Sequence, residues 1–243
     1  MIPVSAIYLV DYYANNLDSA MHRASPKVKM ASTVVALCAI ISSTRLPVLV
    51  AQFLTIVAFQ AASRLPIRRL MLWAVYPAFF AALFAVSQIE YSVELSAQTL
   101  LRAVDAALLM LLFINTTPFT RIIPIIGKVS KTVSNLAFFS YRFFFLFIDE
   151  SARRLTALRV RGGFQGSIWS KVKNAANLIG LLFVSSIESG ERVYDTIKTR
   201  GYRGRFSNEA ANVRGVTRDD CAPALLAVLA VGIFLVGNLC GLP

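Results

Sequence analysis

Two polar stretches, residues 150–166 and 188–204, repeat one arrangement of arginine and glycine. They read ESARRLTALRVRGGFQG and ESGERVYDTIKTRGYRG, so each opens with Glu-Ser and ends with Arg-Gly, an aromatic residue and another glycine. Glycine after the last helical residue can adopt the left-handed conformation that closes a helix, and the preceding arginine can cap the last carbonyls. One copy would indicate only a helix end. Two copies, each following a long apolar run, indicate a pair of cations presented to a partner.

Residues that could carry out catalysis or hold a metal are scarce. The sequence contains no Gly-x-x-x-x-Gly-Lys-Ser/Thr loop, no dinucleotide fingerprint, no Ser-His-Asp set and no His-Glu-x-x-His. Its one histidine is His22, and none of its three cysteines forms a Cys-x-x-Cys pair. We therefore predict a non-catalytic chain with no cofactor, no metal site and no disulfide framework.

The composition is that of an integral membrane protein. Of the 243 residues, 56% are hydrophobic, and the mean hydropathy of +0.62 is too high for a soluble domain. The net charge is +12. In a membrane protein an excess of Lys and Arg marks cytoplasmic loops rather than nucleic-acid binding. We therefore predict an all-α protein in a lipid bilayer, with no nucleic-acid partner.

Apolar runs and basic loops predict about five transmembrane helices. Residues 1–27 are expected to lie on the membrane as an interfacial segment. The loop at 88–98 contains glutamate but no Lys or Arg, so it is predicted to be external, with the amino terminus cytoplasmic and the carboxyl terminus outside. Arg102 and Asp105, three positions apart in the fourth span, are expected to pair on one helix face. The predicted spans are 28–44, 46–62, 70–86, 97–114 and 222–240.

Two further apolar runs, 133–148 and 175–187, continue without a breaker into the Arg-Gly stretches. They predict helices of about 30 residues, or roughly 45 Å. If both runs crossed the membrane, the basic segment between them would face outward, against the positive-inside rule. We therefore predict two long helices on the cytoplasmic side, joined by a turn at 162–166; six or seven spans stay open if these helices are embedded more deeply. The predicted division is 1–115 (interfacial segment and four spans), 116–220 (cytoplasmic-side region with the two long helices) and 221–243 (last span).

Four short motifs resemble those of one family of membrane proteins. Ala157–Gly162 resembles the Ala-x-x-x-Arg-Gly signature of the T component, the transmembrane subunit of energy-coupling factor (ECF) transporters in the cobalt-transport permease family. Thr196–Gly201 is similar to the second copy of that signature, with threonine where the family usually has alanine. His22–Lys29 resembles the His-Arg-x-x-Pro-x-x-Lys stretch before the first span, and Asn115–Pro118 resembles the Thr-Thr or Ser-Thr stop of the family. The resemblance extends over nearly the whole chain.

This resemblance implies a subunit that joins two cytoplasmic ATPases to a small substrate-binding membrane protein, the S component. By residue match, the ATPase-docking residues would be Ala157, Arg159, Arg161 and Gly162 in the first copy and Thr196, Lys198, Arg200 and Gly201 in the second. Aromatic residues of the first long helix would contact the S component, among them Phe143, Phe144 and Phe147. The expected location is the plasma membrane of a prokaryote. The expected cargo is a micronutrient, either cobalt or nickel or a vitamin such as biotin.

Other classes of membrane protein fit the sequence less well. An intramembrane enzyme requires a cluster of carboxylates, histidines or cysteines at membrane depth, and only Arg102 with Asp105 comes near. A self-contained secondary carrier requires inverted repeats with broken spans, whereas the repeat found here is parallel and predicted to be cytoplasmic. A structural or receptor-like protein gives no reason for duplicated Arg-Gly ends.

Overall fold

The computed structural model describes residues 4–90, 92–201 and 220–239, and these residues form α-helices without a β-strand. The predicted all-α membrane fold is confirmed. The helices are α1 (Val4–Asn16), α2 (Ala20–Arg23), α3 (Pro26–Ser42), α4 (Leu46–Ala62), α5 (Ile67–Gln88), α6 (Val93–Thr116), α7 (Phe119–Val129), α8 (Lys131–Val160), α9 (Ile168–Thr199) and α10 (Cys221–Leu239).

Helices α5 and α6 are long and apolar enough to cross a membrane, and the shorter helices α4 and α10 are also apolar. Only 17% and 28% of the most apolar windows of α5 and α6 are buried within the chain. Core helices of a soluble protein would be mostly buried, so this exposure is what lipid-facing helices require. The number of spans and their orientation stay predictions.

The chain divides into two compact units, which we describe separately. The bundle unit comprises the described residues of 1–122 and 212–243, and the long-helix unit comprises those of 123–211. The three-part division predicted from the sequence stays a prediction.

In the bundle unit, α6 packs against α1, α3, α4 and α5, and α10 packs against α3 and α4. The largest fully buried apolar side chains are contributed by five positions on these helices, Ile40, Leu49, Leu70, Leu108 and Leu109. Where α10 crosses α4, a Cβ atom on Gly237 would lie 2.1 Å from Cγ2 of Val48, so this approach requires glycine. The first helix, α1, contributes Tyr13 to the core.

The predicted pairing of Arg102 with Asp105 is wrong. The Arg102 guanidinium donates through Nη2 to the backbone carbonyl of Ser43 at 2.6 Å. Ser43 is the C-cap of α3, where helix geometry leaves carbonyls without intrahelical donors, and this acceptor competes successfully for the arginine. The Asp105 side chain is fully buried, and neither of its oxygens accepts a hydrogen bond from any described residue.

The long-helix unit contains α8, with 30 residues, and α9, with 32 residues, which confirms the predicted lengths. Each begins with a serine N-cap: Oγ of Ser130 accepts from the N–H of Val133, and Oγ of Ser167 accepts from the N–H of Ser170. The two helices contact each other and are joined by a turn at the predicted position.

Candidate docking site at the ends of the two long helices

The end of α8 is a backbone hydrogen-bonded cap built on two glycines. Gly162 has a φ of 72°, the left-handed value predicted for it. Its N–H donates to the carbonyl of Arg159 at 3.0 Å, and the N–H of Gly163 donates to the carbonyl of Leu158 at 2.9 Å. This pair of bonds is the Schellman motif, which supplies backbone donors to two of the last carbonyls without any side chain.

The same turn is fixed on both sides. A Cβ atom on Gly163 would lie 2.4 Å from Cδ1 of Leu158, because the leucine side chain folds over the turn. On the other side, Nδ2 of Asn174 in α9 donates to the carbonyl of Gly163 at 2.8 Å. The position of the α8 end relative to the start of α9 is therefore well defined.

The end of α9 has the same backbone geometry as far as the structure describes it. Gly201 has a φ of 77°, and its N–H donates to the carbonyl of Lys198 at 3.0 Å. The remainder of the second copy, Tyr202-Arg203-Gly204, and the predicted cytoplasmic loop that follows it lie outside the described residues. The prediction that glycine closes each long helix in the left-handed conformation is confirmed.

The terminal arginines, Arg161 and Arg200, are exposed C-cap residues. We expected their side chains to cap the last carbonyls of the helices. Instead, backbone N–H groups donate to the carbonyls of Leu158 and Arg159 in α8 and of Lys198 in α9, and neither guanidinium forms a hydrogen bond or ion pair within the described part of the chain. Each arginine thus lies at a helix end closed by backbone hydrogen bonds, with its side-chain donors free for an external acceptor.

The remaining residues of the predicted docking motifs are also on the surface. Ala157, Arg159, Thr196 and Lys198 are all exposed. The Thr196 hydroxyl donates to the carbonyl of Arg192 at 2.7 Å, one turn back in its own helix. Since that bond satisfies the hydroxyl locally, threonine can occupy the position where the family usually has alanine without adding a free polar group.

The earlier arginine of each copy has an internal partner. Arg154 pairs with Glu150 at 2.5 Å, and Arg192 lies 3.9 Å from Glu188, both four residues apart on one helix. Arg153 also bonds to Glu150, and hydrogen bonds from Arg153 and then Arg154 lower the pKa of that carboxyl. The Glu-Ser opening of each copy therefore supplies a partner for the earlier arginine and none for the terminal one.

The aromatic residues predicted to contact an S component are partly exposed on α8. Phe144 and Phe147 are 46% and 47% exposed, and Phe143 stacks on Phe139 with ring centroids 6.5 Å apart. Phe147 precedes Arg161 by 14 positions, or about 21 Å along a helix. The aromatic surface and the docking end are therefore separate features, and the structure leaves both roles as predictions.

Two sequence motifs of the bundle unit, His22–Lys29 and Asn115–Pro118, form a junction with each other. Both motifs were noticed in the sequence, but their contact was not predicted. The Lys29 ammonium, 2% exposed, donates to the carbonyl of Thr116 at 2.7 Å and approaches Oγ1 of Thr117 at 3.4 Å. Nε2 of His22 lies 3.2 Å from the carbonyl of Asn115. The His22–Lys29 stretch and the end of α6 are thus in contact. The available signal was a lysine inside a predicted span, which must find polar partners.

The environment of His22 defines its protonation. A carbonyl oxygen only accepts, so Nε2 carries the proton donated to Asn115, and Nδ1 accepts from the Ser19 hydroxyl at 2.8 Å. Burial, followed by the nearby charge of Lys29, lowers the pKa of His22. The ring is therefore neutral at physiological pH.

No group of three or more His, Cys, Asp or Glu side chains that could hold a metal ion occurs among the described residues. The described part of the chain presents one exposed arginine at the end of each long helix, Arg161 and Arg200. Such cations can bind an acidic surface through charge-assisted hydrogen bonds.

Comparison with known proteins agrees with the motifs. Residues 18–210 match the sequence model of the CbiQ family, described as cobalt transport protein. A putative fused cobalt transport protein CbiMQ of Methanocorpusculum labreanum is 28% identical over 115 residues, covering 46% of this chain. The match extends over 19% of that protein's own length, so most of that protein has no counterpart in this chain. The family match spans both Arg-Gly ends and the junction motifs, and the chain belongs to the CbiQ family of cobalt transport proteins.

Proposed function

We propose that this chain is the membrane-embedded coupling subunit of an ECF-type importer. In this proposal two cytoplasmic ATPases bind the ends of α8 and α9, and a separate membrane S component binds the substrate. The long helices transmit ATP-driven motion from the ATPases to the S component. The chain itself has no nucleotide-binding loop and one histidine, so hydrolysis and substrate binding are assigned to partners.

The observation that carries the proposal is the state of the two terminal arginines. A side chain that only ended its helix would contact the last carbonyls, but those of Leu158, Arg159 and Lys198 already have backbone donors. Arg161 and Arg200 are exposed and, in the described part of the chain, unpaired. A planar guanidinium on such a helix end matches a carboxylate in a partner groove, which it can bind through two parallel hydrogen bonds.

Cobalt is the cargo that the comparisons favour over a vitamin. The family description and the name of the relative from Methanocorpusculum labreanum both specify cobalt transport. We assign the transported ion to the S component. The location proposed is a prokaryotic plasma membrane with the amino terminus in the cytoplasm.

The docking role is tested by charge reversal. Loss of a buried arginine–carboxylate pair costs about 2 to 5 kcal/mol, so Arg161→Glu and Arg200→Glu should each weaken retention of the ATPases, and the double variant should abolish it. The measurement is copurification of the ATPases in mild detergent, normalised to the amount of this chain in the membrane. Lys173→Glu is the matched control, since it reverses an exposed charge on α9 outside both motifs. Normal copurification with the double variant would reduce both Arg-Gly ends to helix terminations.

The orientation is tested by thiol labelling in intact cells, in a chain without its native cysteines. Gln165→Cys lies in the exposed turn between α8 and α9, and Glu94→Cys lies at the exposed start of α6. We expect an impermeant reagent to label the Glu94 position and to leave the Gln165 position unlabelled. Labelling at Gln165 from outside would show that α8 and α9 span the membrane as a hairpin.

A further inference from the structure

Residues 22–29 of the bundle unit contact the chain where it leaves α6. Nε2 of His22 donates to the carbonyl of Asn115 at 3.2 Å, and the Lys29 ammonium donates to that of Thr116 at 2.7 Å. Both acceptors are among the last carbonyls of α6, which have no intrahelical donors and lie at the negative end of the helix dipole. The lysine and the histidine therefore complete this helix end.

The same segment holds the start of α7. Nη1 of Arg121 donates to the backbone carbonyl of His22 at 3.0 Å. Arg121 is the third residue of α7, and the boundary between the two units follows it directly at Ile122. The chain is thus fixed by hydrogen bonds up to the point at which it leaves the bundle unit.

The segment also holds the residue that precedes α10. The backbone N–H of Ser25 donates to Oδ1 of Asp220, a residue that is 3% exposed and directly precedes α10. The start of α7 and the residue before α10 are therefore bonded to the same eight residues, His22–Lys29. Because Lys29 and His22 are buried, breaking these bonds would leave polar groups without water or partners.

We propose that His22, Ser25 and Lys29 form a junction clamp that holds the end of α6, the start of α7 and the start of α10 together as one rigid element. With the clamp intact, a displacement of the long helices moves the end of α6 and the start of α10 together. Without it, these helix ends can move independently, and the displacement is absorbed locally. The inference rests on the proposed coupling function and assigns Lys29 as a positioning residue for the coupled motion.

The test uses the complete complex of this chain with its ATPases and S component in lipid nanodiscs. The three native cysteines are replaced by serine, and spin labels are placed at Val93 in the bundle unit and Lys173 in the long-helix unit, both exposed. The distance between the labels is measured with and without ATP, beside ATPase copurification and ATP hydrolysis. We expect an ATP-dependent shift in the wild type. In Lys29→Met the ATPases stay bound and active, but the shift is lost.

Two controls separate the clamp from general loss of charge or fold. Lys128→Met removes an exposed cation from α7 and should retain the shift. Asp220→Ala removes the acceptor for Ser25 and should lose the shift, whereas Asp220→Asn keeps an acceptor oxygen there and should retain it. If Lys29→Met does not accumulate in the membrane, the comparison of Asp220→Ala with Asp220→Asn still tests the clamp.

Three outcomes would count against the proposal. An unchanged shift in Lys29→Met and Asp220→Ala would overturn the clamp and leave the proposed function intact. Loss of ATPase binding together with the shift would reduce Lys29 to a purely structural residue. A wild-type chain that binds no ATPase would overturn the proposed function and, with it, any role of the clamp in coupling.

Discussion

Basic side chains lie at helix ends in both units of the protein, and the two units use them in opposite ways. In the bundle unit, Lys29 and Arg102 donate to backbone carbonyls at the ends of α6 and α3. In the long-helix unit, the carbonyls at the end of α8 already have donors from the glycines of the turn, and Arg161 extends into solvent. The difference lies in whether backbone N–H groups can donate to the last carbonyls of the helix.

This comparison separates cations that hold the fold from cations that are available to a partner. A buried ammonium must keep its acceptors, because an unpaired charge away from water is costly. An arginine beside a glycine cap contributes little to its helix, because an exposed dipole contact stabilises it by only about 0.3 to 1 kcal/mol. We therefore expect the arginine to be dispensable for folding, which leaves its side chain available for the proposed docking.

The comparison predicts its largest effect for one substitution made in both units. Lys29→Met should destabilise the purified chain by about 1.5 to 3 kcal/mol, because the charged hydrogen bonds to Thr116 and Thr117 are lost. Arg161→Met should change stability by less than about 1 kcal/mol, as expected for an exposed side chain whose only structural role is a dipole contact. Thermal unfolding in detergent measures both. Equal losses would remove the distinction between the two kinds of cation.

A smaller effect is expected from pH, through His22. Its pKa is lowered from the usual 6.5, mainly by burial, so between pH 6.5 and the lower value the unfolded chain binds a proton that the folded chain excludes. Stability should be full above pH 6.5 and fall below it by at most about 1.4 kcal/mol per pH unit, until the folded pKa is reached. Thermal unfolding from pH 7.5 to 5.5 should show this decline in the wild type. The decline should be weaker in His22→Gln, and identical profiles would contradict the assignment.

The smallest effect is expected at Asp105, the buried side chain without partners. Since no described residue donates to its oxygens, Asp105→Asn should leave the unfolding temperature unchanged or raise it. Arg102→Met combined with Asp105→Asn should be additive within about 0.5 kcal/mol, as for residues that do not interact. A larger coupling energy in this double-mutant cycle would restore the ion pair that the structure lacks.

Much of the helical framework was predictable because its signals are local. The predicted second span, 46–62, coincides with α4, and the lengths of α8 and α9 followed from apolar runs that continue without a breaker into polar stretches closed by glycine. The helices that contain the other predicted spans begin or end a few residues from the predicted bounds. Hydrophobicity marks the apolar part of a helix, whereas hydrogen bonding continues into polar flanks, as in α6 from Val93 to Thr116.

By itself, the sequence determined the helical class, the two glycine-closed long helices and the family, because apolar runs, left-handed glycines and short motifs are properties of neighbouring residues. Only the tertiary structure decided which cations are used internally. Lys29 and His22 reach carbonyls 87 and 93 positions away, and Arg102 turns from its neighbour Asp105 to a carbonyl 59 positions away. These contacts depend on how the helices pack, because packing decides which helix ends lie within reach of each cation. The spacing of residues along the chain does not predict that.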